Sequence, residues 1–406
     1  MRTALLVVVI LPLALSVARA AAEAPAAPAA GPRVFVLDAR VLAENQRRAA
    51  AGDKVLAAAV EVLRRDADKA LMAGPFSVTD KKVDPPSGDR HDYMSQAPYW
   101  WPDPSKPDGK PYIRRDGEVI KARGAFDNAP MGKMAHAVET LAAAYFFTRH
   151  EPYADHAARL VRAWFLDEKT RMNPNLNFGQ SIPGVTDGRA AGIIDTTCLV
   201  GVVDAVGLLA GSKAWTEADQ KGLQAWFEKY AAWLLESKIG RDEGRAKNNH
   251  KTWYNVQVAA FALFAGQPDV AKAAVTDGRT LIEKQIEPDG RQPLELERTK
   301  SWDYSTMNLV GHFKLAALGD RLGIDLWRHK TDDGRSLRKA LDYLAGFTKP
   351  DAKWPHKQIK ELEPSRLAPV LRQAAAVYGE KSYAETARGL TAADKPDWRR
   401  DLLTAG

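Results

Sequence analysis

The chain has 406 residues, of which 45% are hydrophobic and 27% charged, with a formal net charge of +7. That length suffices for one large domain or two ordinary ones, and the composition excludes a disordered chain. The mild positive excess suits a polyanionic ligand. The absence of a dense Lys/Arg tract argues against nucleic acid as a partner.

Arg2 precedes the apolar run from Leu5 to Leu15, and Ala18-Arg19-Ala20 forms a small-x-small cleavage site. Residues 1–20 therefore read as a secretory signal peptide. The run is too short for a membrane span and no later stretch reaches that length. The processed chain is expected to be periplasmic or secreted, free of the membrane. Export permits disulfides, but the single Cys198 can make no internal bridge and reads as a small buried hydrophobe. Residues 21–33, almost all Ala, Pro and Gly, read as a flexible leader, and residues 34–400 as a single domain.

From Val34 the pattern is mostly helical. Val55, Ala59, Val62 and Leu63 share a face, and Gly74-Pro75 stops that helix. A stretch poor in helix signals follows, roughly Pro75 to Pro130. It contains His91-Asp92-Tyr93-Met94 and Pro98-Tyr99-Trp100-Trp101-Pro102-Asp103-Pro104. Connections this long inside a domain are functional or disordered, and the aromatic density argues against disorder. Tyr99, Trp100 and Trp101, flanked by prolines, suit stacking on sugar rings or roofing the core. Helical spacing returns at Val138, Leu141, Ala142 and Tyr145, and again at Ala157, Leu160, Val161 and Trp164.

A polar loop from Asn173 to Arg189 carries Asn175, Asn177, Gln180 and Asp187. Helices are expected from Ile193 to Leu209, around Leu223 to Leu234, and after Asn248-Asn249-His250, with Trp253, Val256, Ala260, Phe261 and Phe264 inward and Gly266 as the stop. Further helices are expected from about Tyr304, from Leu337 to Phe347, Ser365 to Tyr378 and Ser382 to Leu390, with no alternating strand pattern anywhere. Repeated helix–loop–helix units with polar loops fit antiparallel helix pairs, in a bundle or wound into a toroid.

Five stretches resemble the alginate lyase superfamily of polysaccharide lyases: His91 to Met94, Pro98 to Pro104, Pro111-Tyr112-Ile113-Arg114-Arg115-Asp116-Gly117, Asn248-Asn249-His250 and Arg298 to Tyr304. They fall in order over about Asp89 to Leu318. The Trp-Trp-Pro-Asp-Pro loop is similar to a branch that includes lyases of alginate and of β-1,4-glucuronan. The resemblance implies an all-α fold, an incomplete (α/α) toroid. It also implies Asn249 at the substrate carboxylate, His250 and Tyr304 as proton carriers, and Arg298 on the sugar acid.

The chemistry asks for these groups. Cleaving a 4-linked uronate by β-elimination removes the C5 proton, builds charge on the C6 carboxylate and expels the C4 oxygen. The proton becomes accessible only once that carboxylate is neutralised. The Asn249 amide and free amides at a helix start can donate, and the positive helix end favours a neutral, accepting His250. Arg298 can bind a carboxylate through two nitrogens. If proton and leaving group share a face, Tyr304 can do both jobs; if they lie on opposite faces, His250 is the base and Tyr304 the acid. Asn248, Gln180, Asn177 and His91 join Tyr99, Trp100 and Trp101 as substrate-contact candidates. Each has a plainer alternative: Asn248 or Asn249 as a helix cap, His250 as a structural histidine, Arg298 paired with Glu295 or Glu297, Tyr304 as core.

Two rivals remain. A glycoside hydrolase would use a carboxylate pair drawn from Asp187, Asp195, Glu295 and Glu297. A binding protein would grip an acidic polysaccharide without cleaving it. No cofactor or metal is expected: of the eight His residues only His150 and His156 approach ligand spacing, at a loop and a helix start, and no acidic run has calcium-loop spacing.

Overall fold

Two helices open the described chain, each started by an aspartate. α1 (Ala39–Ala50) is capped by Asp38, and α2 (Lys54–Ala70) by Asp53, which accepts from the amides of Val55 and Leu56. The computed structural model describes residues 31–349, 351–391 and 395–404. The expected signal peptide and nearly all of the expected leader lie outside these. In α2 the buried residues are Leu56, Ala59, Leu63 and Ala67, whereas Val55 is 62% exposed. The inward face is thus set one residue beyond the expected start.

The stretch before the next long helix holds three short strands: β1 (Met94–Gln96), β2 (Trp100–Trp101) and β3 (Ile113–Arg114). Next come α3 (Asn128–Thr148), α4 (Glu151–Phe165) and β4 (Phe178–Ser181). β1 pairs in parallel with β4, and β2 antiparallel with β3. Strands of two to four residues are too short to show alternation, which is why the sequence pattern missed them.

A 3₁₀ segment, Ala190–Cys198, runs into α5 (Leu199–Leu208), in place of one expected α-helix. Together, Ala190–Leu208 form a helix long and apolar enough to cross a membrane, contrary to the expectation that no later stretch would. It is a core element here: Leu199, Val200, Val202, Val203 and Val206 are buried. Asp204, also buried, accepts the amides of Phe35, Val36 and Leu37 and ties the start of the domain to this helix. Cys198 donates weakly to the Asp195 carbonyl, and burial pushes its thiol up to about 12, so it is no nucleophile.

The chain continues through α6 (Glu217–Glu236), α7 (Lys238–Glu243), α8 (Asn249–Phe264), α9 (Pro268–Gln285), α10 (Pro293–Leu296) and α11 (Ser301–Asp320). α12 (Leu337–Ala345), α13 (Ala368–Tyr378), α14 (Lys381–Gly389) and α15 (Trp398–Leu403) complete it. Neighbours pack in sequence: α2 on α3, α3 on α4 and α5, α5 and α6 on α8, α8 on α9 and α11, α11 on α12. This is an incomplete (α/α) toroid.

α8 and α11 are buried on nearly every face although both carry polar side chains among the apolar ones. Gly266, at φ +79, closes α8 in the left-handed conformation that an L side chain resists. Polar side chains link α8, α9 and α11: Gln285 accepts from Thr252 and Asn308 and contacts His312. Burial draws the His312 imidazole down to about 3, so it stays neutral. The first turns of α8 and α11 line one cleft together with residues of the β2–β3 hairpin.

Candidate active site

The cleft has a volume of about 550 Å³. Asn248, Asn249 and His250 reach it from the start of α8, Arg298 and Tyr304 from around the start of α11, Tyr99 and Trp100 from the hairpin, and Gln180 from β4. Three expected contact residues do not line it. His91 Nδ1 lies 2.6 Å from the Arg171 carbonyl and helps to knot the loop before β1. Asn177 accepts from Trp233 Nε1 at 3.1 Å. Trp101 donates Nε1 to the Glu118 carbonyl at 2.9 Å and lies under the Arg115 guanidinium. Adjacent residues on a strand point to opposite faces, so only Trp100 of the pair turns to the cleft.

Asn248 caps α8, its Oδ1 accepting from the His250 amide at 3.3 Å. His250 Nδ1 lies 2.6 Å from Oε1 of Glu243, a buried carboxylate at the end of α7. With Nδ1–H donating to Glu243, the unprotonated Nε2 lone pair is left for the cleft. Glu243 was missed in the sequence. Its signal was slight, a lone acid at the end of a short helix seven residues upstream.

Asn249 is not the free donor expected of it. Its amide N–H and its Nδ2 donate to the two oxygens of buried Glu295, at 2.6 and 2.7 Å. Burial raises the Glu295 pKa while the Asn249 bonds oppose the rise. The start of α8 is thus satisfied by Asn248 and Glu295, and the expected free amides are already committed. One hydrogen of the Asn249 side-chain amide remains for a ligand.

Arg298 pairs with neither Glu295 nor Glu297. Its Nε and a terminal nitrogen donate to the two oxygens of Asp116, at 3.3 and 2.7 Å. Its guanidinium carbon sits 3.7 Å from the centre of the Tyr304 ring. Asp116 also accepts from the Thr299 amide and hydroxyl, which fastens the hairpin end to the start of α11. Although burial favours the neutral acid, Arg298 and Thr299 outweigh it and hold Asp116 well below the usual carboxylate range.

Tyr304 Oη is 2.7 Å from Tyr99 Oη. Burial, then the Tyr99 hydroxyl, hold the Tyr304 phenol far above its ordinary value, against the opposing pull of Arg298. The Tyr304 phenol is thereby disposed to keep its proton.

The remaining lining is cationic: Arg114, Arg189, Lys300 and Arg366 face a single carboxylate, Asp303, among the described residues of the cleft. None of the four candidate hydrolase carboxylates lines it. Asp195 is engaged by Tyr93, Ser95 and Gln180, Glu295 by Asn249, and Asp187 and Glu297 are exposed. Among the described residues no three His, Cys, Asp or Glu side chains gather as a metal site. His150 precedes α4 and His156 is buried within it on the Ala73 carbonyl.

The alginate lyase family model matches residues 77–354. The chain belongs to the alginate lyase family. An alginate lyase from Bacteroides ovatus superposes with a TM-score of 0.88 at 39% identity, covering 92% of this chain and all of that one. Alginate lyase A1-III from Sphingomonas species A1 shares the fold at 15% identity and a TM-score of 0.51, over 79% of this chain and 87% of that one. A histidine variant of A1-III complexed with a tetrasaccharide matches at 15% identity and a TM-score of 0.52, covering 80% and 88%. No curated protein matches the chain. Like the rest of its family, the chain is a polysaccharide lyase.

Proposed function

We propose that this lyase cleaves a 4-linked polyuronate, alginate of the polymannuronate type or β-1,4-glucuronan, by β-elimination, with His250 as base and Tyr304 as acid. The observation that carries the reading is the pairing of opposite proton states across one cationic cleft. Glu243 holds a proton on Nδ1 of His250, leaving Nε2 to accept, and burial keeps a proton on Tyr304 to give.

In mannuronate and glucuronate the C5 hydrogen and the C4 oxygen share a face, so in this scheme His250 Nε2 takes the C5 proton from the same side on which Tyr304 meets the leaving oxygen. The C4–C5 double bond forms as the C4–O bond breaks, and Tyr304 protonates the departing oxygen. Burial, which pulls the Tyr304 phenol up, favours it as the group that gives a proton over the group that takes one. The spare Asn249 amide hydrogen donates to the C6 carboxylate as charge accumulates there, and a donor placed in advance costs no reorganisation at that moment. Trp100 offers a ring to a neighbouring sugar. A signal peptide at residues 1–20 would deliver the enzyme to the periplasm or beyond, where such polymers are met.

The test is incubation of purified protein with polymannuronate, polyguluronate and glucuronan while ultraviolet absorbance is followed. A conjugated double bond absorbing in the ultraviolet is expected from one polymer above the others. Absorbance that stays flat on all three would remove the proposal.

A further inference from the structure

With Arg298 bound to Asp116 through two nitrogens, the cation expected to meet the substrate carboxylate is largely spent before any ligand arrives. The other cleft cations divide in the same way. Arg114 also lies on Asp116, at 3.0 Å, and Arg366 lies on Glu363, at 2.7 Å.

Lys300 and Arg189 are different: among the described residues neither has a carboxylate within ion-pair distance, but Lys300 Nζ sits 5.2 Å over the Tyr99 ring, on the Tyr304 side of the cleft, whereas Arg189 has no aromatic ring beneath it. One terminal nitrogen of Arg189 donates to Gln180 Oε1 at 2.6 Å, and its buried Nε has no hydrogen-bond partner. A desolvated guanidinium held only by a neutral amide is costly, and its charge is resisted by burial and by Arg114.

The chain goes to some length to hold it so. Where β4 pairs with β1 the register slips, Met94 opposite Phe178 but Gln96 opposite Ser181, which puts an extra residue into β4. Gln180 lies in that irregularity at φ +50, a left-handed conformation uncommon for a residue other than glycine. Its amide orientation follows from its partners. Nε2 donates to Asp195 Oδ1 at 3.1 Å, and Asp195 is itself fixed by Tyr93 and Ser95, so Oε1 must face Arg189. Arg189 is also near enough to Glu243 to feel its charge. That places it on the His250 side of the cleft, whereas Arg298 is stacked on Tyr304.

We infer that Arg189, held by Gln180, is the cation that neutralises the carboxylate of the uronate losing its proton, and that Arg298 serves instead to position Tyr304. The inference rests on the polyuronate reading above. A carboxylate arriving at Arg189 would take up the unsatisfied Nε and supply the missing countercharge. Arg189 also favours substrates in which every reacting sugar is an acid, because a neutral or esterified sugar leaves the guanidinium unpaired.

The experiment compares wild type, Arg189→Gln and Arg189→Lys on a polyuronate and on its methyl ester, following the ultraviolet chromophore. On the free acid, Arg189→Gln is expected to lose about 100-fold or more in kcat, and Arg189→Lys to recover part of it. On the ester, which has no charge to neutralise, the penalty should shrink below about tenfold. An Arg189→Gln enzyme within about threefold of wild type on the acid, or equally impaired on acid and ester, overturns the inference. Should Arg189→Gln fail to fold, Arg189→Lys alone keeps the contrast, since a displaced charge must also cost more on the acid than on the ester. If wild type yields no chromophore from either polymer, the lyase chemistry itself has failed, which is a separate result.

Discussion

Glu243 illustrates how one buried carboxylate decides the chemistry of its neighbour. Its contact with Nδ1 of His250 holds the ring, and in the proposed scheme it keeps the proton on that nitrogen and leaves Nε2 to accept. Glu243→Gln preserves the shape but lets the imidazole settle with either nitrogen protonated. We expect kcat to fall by about 10²-fold or more with KM little changed. Tyr304, kept protonated by burial, should impose no alkaline loss of activity near the ordinary phenol range. A pH–rate profile of wild type and Glu243→Gln checks both statements; a variant with unchanged kcat would show that the carboxylate merely fills space.

At the same scale, the residues legible in the sequence were those whose chemistry is local. Asn248, Asn249 and His250 are consecutive, and the capping role of Asn248 follows from its place before an apolar helix. The partners that define their roles were not legible. Asp116 lies 182 residues before Arg298, and no local pattern links them. Glu295 was visible only as a candidate acid, whereas the fold makes it the anchor of Asn249.

Among the elements, the β2–β3 hairpin matters most. It brings Tyr99 and Trp100 to the cleft and is fastened by Asp116 to Arg298 and Thr299. Gly117, at φ +81, lets the backbone pass Thr299; a Cβ there would lie 2.5 Å from its hydroxyl oxygen. Asp116→Asn should loosen this attachment, lowering kcat about tenfold or more and lowering the denaturation midpoint at neutral pH more than in strong acid. The pH dependence follows from the sign of the shift. The Asp116 pKa is lower in the folded chain than in the unfolded one, so its stabilisation is present above about pH 4 and is lost as the pH falls further. Tryptophan fluorescence of the hairpin should therefore change in strong acid in wild type and be less acid-dependent in Asp116→Asn. Equal acid responses would contradict the role given to this contact. The hairpin escaped the sequence reading because two-residue strands carry no periodicity, although their aromatic and proline content marked the stretch as functional.

For the whole molecule, helical periodicity together with the family motifs was enough to give the toroid. The inner helices α8 and α11 were harder to read than the outer ones. Buried on nearly every face, they lack the clean stripe of α2 or α12 and mix Asn, Gln, Thr and His into the core. Thr252, Gln285, Gln292 and Asn308 are linked by hydrogen bonds that tie α8, α9 and α11 together beneath the turns that carry His250 and Tyr304. The cations around the cleft supply the field in which a polyanion is held.

The account stands on elimination with His250 accepting a proton and Tyr304 giving one. The most direct measurement counts new ultraviolet-absorbing ends against new reducing ends on the preferred polyuronate, for wild type and Tyr304→Phe. The account predicts one unsaturated end for each chain cut in wild type and a loss of about 10³-fold in both counts for Tyr304→Phe. Reducing ends that accumulate without the chromophore, or a Tyr304→Phe enzyme that turns over like wild type, would contradict it.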